Sequence, residues 1–202
     1  LVSYRAIGDE EVSPYELNCS YLDLLTNPEE DDNTRVKRMI LSQAVVLVMP
    51  GVPGIYFHSL VGSQNYREAV RKTRINRSIN RDRLNYDNLK ELLEEEGSLQ
   101  KILFKRYKQL LSIRIREEAF HPLNKFEILD LGSKVFAIKR YAKDEIEFVL
   151  ALFNFDGKRV ETTLPLEDSE PLVDMLTHTK IHSKNLKLDP YQMVWLKKHK
   201  EN

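Results

Sequence analysis

Residues 34–60 read TRVKRMILSQAVVLVMPGVPGIYFHSL, and this stretch decides the fold class. Val36, Met39, Ile40, Gln43 and Leu47 fall near one face at helical spacing, and Ala44, Val45, Val46 and Val48 fill most of the rest. That pattern predicts a largely buried helix over 34–49. Asp31, Asp32 and Asn33 precede it and supply carboxylates and a cap for its free N–H groups. Pro50-Gly51-Val52-Pro53-Gly54 stops the helix, because two prolines and two glycines in five residues cannot continue it. The short apolar run over 55–60 then suits a strand buried on both faces. Helix, tight turn and buried strand together make an α/β unit.

Upstream, Pro14, Asn18, Asn27 and Pro28 punctuate residues 1–30, which read as loop with some short structure. Downstream, residues 62–97 are polar with few periodic apolar positions and carry seven basic residues between Arg67 and Arg83. A loop of that length in a compact domain calls for a functional reason. Ser98 then caps a helix to about residue 118, with Leu99, Ile102, Leu103, Arg106, Leu110 and Ile113 along one stripe. Pro122 marks a change of pattern. Short apolar segments over 126–131, 135–141, 148–155, 160–164, 172–175, 186–188 and 193–196, separated by turn residues, predict an antiparallel sheet. The chain is therefore expected to be α/β first and all-β afterwards, with a boundary between residues 121 and 122.

Composition narrows the function classes. Lys+Arg and Asp+Glu are both 31, a balance that argues against a dedicated nucleic-acid or membrane-surface binder. The longest apolar stretch, 39–49, is broken by Ser42 and Gln43 and is short of the roughly 20 residues needed to span a bilayer. Cys19 is the single cysteine, so no internal disulfide forms and a reducing compartment is expected, and with no signal segment visible the expected location is the cytoplasm. The chain opens on Leu1 with no initiator methionine, which suggests a start within a longer protein.

Three stretches in series resemble the sucrose phosphorylase group of the α-amylase superfamily, glycoside hydrolase family 13. They are Ser13-Pro14-Tyr15-Glu16-Leu17-Asn18-Cys19-Ser20-Tyr21-Leu22; Pro50-Gly51-Val52-Pro53-Gly54-Ile55-Tyr56-Phe57, running on to Gly62-Ser63-Gln64-Asn65; and Arg71-Lys72-Thr73 to Arg77-Ser78-Ile79-Asn80-Arg81. The last is similar to the family's Arg-x-Ile-Asn-Arg signature. The resemblance implies that residues 1–121 are the C-terminal portion of a (β/α)8 catalytic barrel and 122–202 the small antiparallel β-domain after it. Residues 34–49 would be the seventh barrel helix, 55–60 the eighth strand and the helix after Ser98 the eighth helix. Substrate contacts would then lie on the loops at 12–18 and 62–83, since barrel enzymes build their sites at the C-terminal ends of strands.

The resemblance further implies a retaining phosphorylase. One carboxylate attacks the glucosyl carbon, a second carboxyl about 5 Å away protonates the leaving group, and phosphate takes the glucosyl unit as α-glucose 1-phosphate. The family's carboxylates lie on earlier strands, one in a His-Asp motif, and no His-Asp dipeptide occurs here. No catalytic residue is assigned within the chain, which is expected to be inactive without the rest of its barrel. Arg77 matches the arginine that holds the glucose ring with a partner Asp, a task its planar donor fork suits. Taken alone, Arg77 reads as a solvated loop arginine, and Asn80 and Arg81 as loop braces. Tyr15 and Glu16 match the Tyr-Gln pair of a mobile loop that takes part in acceptor and phosphate binding. Ser13 sits where sucrose phosphorylases carry Asp. A carboxylate at position 16 repels phosphate unless it is protonated or paired. It also accepts hydrogen bonds from hydroxyls, which points to a polyol-type acceptor such as glycerate or glycerol rather than fructose.

The remaining features read plainly. His58 has no nameable partner and reads as a rim or core histidine. The five histidines lack metal-ligand spacing, so no metal or other cofactor is expected. Glu94-Glu95-Glu96 reads as a solvated run, and Lys197, Lys198 and Lys200 as a frayed charged terminus. The expected partners are an α-glucoside, inorganic phosphate and the rest of the barrel, with no nucleic acid and no membrane. A homodimer stays open. So do an ordinary family hydrolase or transglucosidase, a non-catalytic carbohydrate-binding β-domain, and a nucleic-acid module using 67–83.

Overall fold

The computed structural model describes residues 1–7, 11–165 and 171–198. By packing, the chain divides into two compact units, one formed by Leu1–Met39 with Ile55–Lys105 and the other by Ile40–Gly54 with Arg106–Asn202. Among the described residues no helix is long and apolar enough to cross a membrane.

The first unit opens with a hairpin, strand β1 (Val2–Ala6) against β2 (Val12–Leu17). The described residues before 30 thus hold more regular structure than their turn residues suggest. Pro14, which lacks an N–H, is tolerated because it sits at a break in the ladder: Ser3 pairs with Glu16 and Tyr4 with Pro14, leaving Tyr15 as the extra, bulged residue. Helix α1 (Tyr21–Leu25) follows, capped by Ser20, whose Oγ accepts the Asp23 N–H at 3.3 Å. Helix α2 (Asp32–Val48) is capped by Asp31, whose carboxylate accepts both the backbone N–H and the hydroxyl of Thr34.

Two expectations are corrected here. The run over 55–60 forms no strand: Tyr56 is extended and Phe57–Leu60 is one turn of helix, α3, with Tyr56 and Phe57 each about half exposed. A buried parallel strand needs a hydrogen-bonded neighbour on each side, and among the described residues no strand pairs with this run. Residues 62–97 are not a long loop. They hold helix α4 (Arg67–Thr73), a 3-10 turn (Asn76–Asn80) and helix α5 (Tyr86–Glu94), the last capped by Asn85 accepting the Asn88 N–H at 3.0 Å. Helix α6 (Leu99–Arg116) starts at Ser98, whose Oγ accepts the Lys101 N–H at 3.1 Å.

The second unit is built on a six-stranded antiparallel sheet of order β3 (Phe126–Asp130), β4 (Val135–Tyr141), β5 (Phe148–Asn154), β10 (Met193–Lys198), β7 (Leu172–Asp174) and β8 (Lys180–Ile181). A second, two-stranded sheet pairs β6 (Val160–Thr163) with β9 (Asn185–Leu188). Every residue of β5 is buried, which explains its unbroken Phe-Val-Leu-Ala-Leu-Phe run. Its Phe148, Leu150 and Leu152 join Val160, Leu186, Leu188 and Leu196 in one apolar core. On Trp195 of β10 the ring of Phe120 packs edge-on at 5.0 Å.

Two buried arginines close the C-terminus of α2 within this unit. Arg114 donates to the carbonyls of Leu47 and Gly51, and Arg140 to those of Val48 and His121. The carbonyls left open at a helix end take the place of a counter-ion. Lys197 is no frayed end: its ammonium reaches Glu117 at 3.0 Å and Glu147 at 3.2 Å. Lys200, read together with it, lies outside the described residues.

Candidate functional site

The four residues expected to touch substrate all fall in the first unit, on two elements that the fold brings together. Ser13, Tyr15 and Glu16 are on β2, and Arg77 is in the 3-10 turn. The bulge at Tyr15 breaks the alternation of the strand, so that Ser13 and Glu16, three apart, are its two half-buried positions. Tyr15 itself is about half exposed.

Arg77 Nε donates to Glu16 Oε2 at 2.7 Å. The hydrogen bond and charge of Glu16, and after them the nearby Tyr15 hydroxyl, hold the Arg77 guanidinium above its usual pKa. Arg77 therefore stays charged, and Glu16 is an ion-paired carboxylate rather than an isolated one. Ser13 is occupied only weakly, its hydroxyl lying 3.4 Å from the carbonyl of Pro14.

Several contacts fix these two elements against each other. Asn80 Nδ2 donates to the carbonyl of Cys19 at 3.2 Å, and the Tyr56 hydroxyl donates to the carbonyl of Asn80 at 3.1 Å. Asn18 Nδ2 donates to Ser3 Oγ at 2.7 Å, and Asn76 Nδ2 reaches the same oxygen at 3.5 Å. Further in, Asn65 is held at both ends: its N–H donates to Asp23 Oδ2 at 2.7 Å, and its Oδ1 accepts the Ser20 N–H at 2.6 Å. His58 is half-buried, with Nδ1 2.9 Å from Ser63 Oγ.

Sequence reasoning quoted Asn18, Ser20 and Asn65 only as parts of a motif and did not see Asp23. Asn18 reaches Ser3, 15 residues away, and Asn65 latches to Asp23 and Ser20, 42 and 45 residues away, and no local pattern reports those contacts. A cleft of about 230 Å³ opens alongside, lined in part by Gly62, Gln64, Tyr66, Asp82, Leu89 and Gln100. None of Ser13, Tyr15, Glu16 and Arg77 lines it. Among the described residues no group of three or more His, Cys, Asp or Glu is placed to hold a metal ion.

Comparison with known proteins places this geometry in context. No family model matches the chain. It is 35% identical over 214 residues to a glucosylglycerate phosphorylase of Spirochaeta thermophila, covering the whole chain and 36% of that protein. It is 32% identical to the glucosylglycerate phosphorylase of Escherichia coli, over 98% of the chain and 34% of that protein. A sucrose 6(F)-phosphate phosphorylase of Thermoanaerobacterium thermosaccharolyticum is 30% identical over 80% of the chain and 28% of its own length. The chain thus spans about a third of the length of the curated relatives it matches. Among solved structures, AmyP matches with a TM-score of 0.68 at 17% identity, over 87% of the chain and 37% of that protein. An α-amylase from Geobacillus thermoleovorans matches with a TM-score of 0.67 at 14% identity, over 92% and 37%. The resemblance read from the three motifs and the expected fold class are borne out: the fold is that of part of an α-amylase-type enzyme, α/β followed by antiparallel β.

Proposed function

We propose, for a chain similar along nearly its whole length to glucosylglycerate phosphorylases and over 80% of it to a sucrose 6(F)-phosphate phosphorylase, that the protein it belongs to is a retaining α-glucoside phosphorylase. It transfers glucose from an α-glucoside to phosphate and gives α-D-glucose 1-phosphate. The acceptor released is a small anionic polyol of the glycerate type. Identity to two glucosylglycerate phosphorylases over nearly the full chain supports that choice.

The observation that carries the reading is the 2.7 Å contact between Arg77 and Glu16. An isolated carboxylate at position 16 would repel phosphate and a glycerate carboxylate alike. Paired with a guanidinium, it presents the zwitterionic surface that an anionic acceptor with hydroxyl groups needs. The remaining donors of the Arg77 fork suit oxygen ligands, and Glu16 accepts from hydroxyls. Tyr15 offers a half-exposed ring and a hydroxyl, a combination useful for sugars. Ser13 adds a short hydroxyl where the sucrose-specific members carry a carboxylate.

In this reading residues 1–121 belong to the catalytic barrel and 122–202 to the β-domain after it. The nucleophile and the acid/base lie outside residues 1–202, the chain alone is inactive, and the enzyme works in the cytoplasm. The test is to incubate the protein at its natural length with phosphate and, in parallel, glucosylglycerate, glucosylglycerol, sucrose and sucrose 6-phosphate, and to assay glucose 1-phosphate. Product from glucosylglycerate at the highest kcat/KM is expected. Product from sucrose alone would overturn the acceptor assignment, and no product from any donor would overturn the activity.

A further inference from the structure

Helix α4 divides its charges between two faces. Glu68 and Lys72, four apart, pair with each other at 2.7 Å and cancel. Arg67, Arg71 and Arg74 stand at i, i+4 and i+7 and so form one stripe along the helix. All three are exposed, and among the described residues none lies within ion-pair distance of a carboxylate. Arg71 feels Glu68 only at range, while Glu68 is taken by Lys72. Like charges at this spacing destabilise a helix.

A second, independent observation falls on the same stripe. Arg74 ends the helix in the left-handed region, with φ of 59° and ψ of 17°, and its N–H donates to the carbonyl of Val70. Glycine or asparagine is the usual residue there, because a Cβ is strained in that conformation. A Cβ at the left-handed cap works against the helix, while the open carbonyls of its last turn favour the cationic side chains placed there. The stripe also adjoins the candidate site: Thr73 Oγ1 lies 2.8 Å from Ser78 Oγ, the residue next to Arg77.

We propose that Arg67, Arg71 and Arg74 form an accessory binding face for phosphate-bearing anions. Guanidinium forks one helical turn apart can grip the oxygens of a single phosphate from two sides. The face would collect phosphate beside the Arg77 turn. The choice of phosphate as the anion rests on the phosphorylase reading above, since inorganic phosphate and glucose 1-phosphate are that reaction's anions.

The test is equilibrium dialysis with radiolabelled inorganic phosphate on the natural-length protein and on the Arg67→Gln, Arg71→Gln, Arg74→Asn triple variant. The variant is expected to bind one equivalent fewer of phosphate per protein and to melt no lower than the wild type, because asparagine tolerates the left-handed cap. Competition then separates the sources. Displacement of the stripe-bound label by glucose 1-phosphate assigns the site to phosphate monoesters as a class, and failure to displace it assigns the site to inorganic phosphate. Unchanged stoichiometry and affinity in the variant overturns the proposal. Complete displacement by chloride at equal ionic strength does so too, as that is mere cation screening. Phosphorolysis with unchanged phosphate stoichiometry in the variant sinks this proposal alone. Loss of one equivalent in a protein without phosphorolysis sinks the phosphorylase reading and leaves the face in place.

Discussion

Arg77 and Glu16 are 61 residues apart in the chain and 2.7 Å apart in space. Their pairing ties the 3-10 turn to the bulged strand and sets a cation beside an acceptor group in the candidate site. Both side chains are partly exposed, so the contact adds little to stability, as surface pairs generally do. Arg77→Lys is expected to leave the melting temperature of the natural-length protein unchanged and to raise KM for phosphate about tenfold, the scale of one charge-assisted hydrogen bond lost. Lysine keeps the charge and loses the fork. Steady-state kinetics with a parallel thermal melt check both halves.

Glu16→Gln removes the charge and keeps the shape. On the present account it shifts donor preference away from glucosylglycerate, with kcat/KM for that donor falling about tenfold relative to sucrose. The ratio of kcat/KM values for the two donors, measured in competition, is the readout. An unchanged ratio would remove Glu16 from acceptor recognition.

Much of the second unit was legible in the sequence. The strands from Phe126 to Lys198 alternate or run apolar between turn residues, and each expected segment has an observed strand. The helix caps at Asp31 and Ser98 also follow from local chemistry. The first unit was less legible because its order is not local. The β1–β2 hairpin is short, exposed and carries Pro14, so no clean alternation marks it. Helix α5 was hidden by its many charges, although Leu89, Leu92 and Leu93 give it an apolar edge. The run over 55–60 has strand composition and no strand neighbour, and pairing outweighs propensity there. For the site, both Arg77 and Glu16 could be singled out from motifs. That they are each other's partner could not, because the resemblance gives Arg77 an Asp partner and leaves the partner of Glu16 unnamed.

Arg140 is fully buried and donates to Val48 and His121, while Arg114 donates to Leu47 and Gly51. Burial, and for Arg140 also the nearby Arg114, holds both guanidiniums below their usual pKa. Arg140→Met takes the guanidinium donor from the Val48 carbonyl, while the His121 carbonyl keeps the Asn124 N–H, and is expected to cost about 2–5 kcal/mol. The double variant with Arg114→Met should cost more than the sum of the two, since each single change already relieves the repulsion between the cations and the pair can relieve it only once. Urea denaturation of the four forms measures the coupling.

Lys197 links β10 to Glu117 and Glu147. Burial lowers its pKa, the two carboxylates raise it by more, and the net position is above the usual value of 10.5. A raised folded pKa stabilises the protein fully below the unfolded value and ceases to do so as pH climbs through the folded one. Lys197→Met is therefore expected to lose about 1.5–3 kcal/mol at neutral pH. The gap to wild type should hold up to about pH 10 and close above it. Urea midpoints as a function of pH report this directly.

Arg74 in its left-handed cap predicts the opposite sign. Arg74→Gly relieves the Cβ strain and one like-charge neighbour, and is expected to stabilise the natural-length protein by up to about 1 kcal/mol. A loss of stability would mean that the side chain makes a contact worth more than its strain.

The central claim is transfer of glucose to phosphate. The direct measurement is a phosphorus NMR time course of the natural-length protein with glucosylglycerate and inorganic phosphate, with glucose assayed in the same samples and in a phosphate-free control. The account predicts growth of the α-glucose 1-phosphate signal at the expense of phosphate, with negligible glucose release in the control. Glucose released at equal rates with and without phosphate, and no phosphate ester, would contradict it and make the protein a hydrolase.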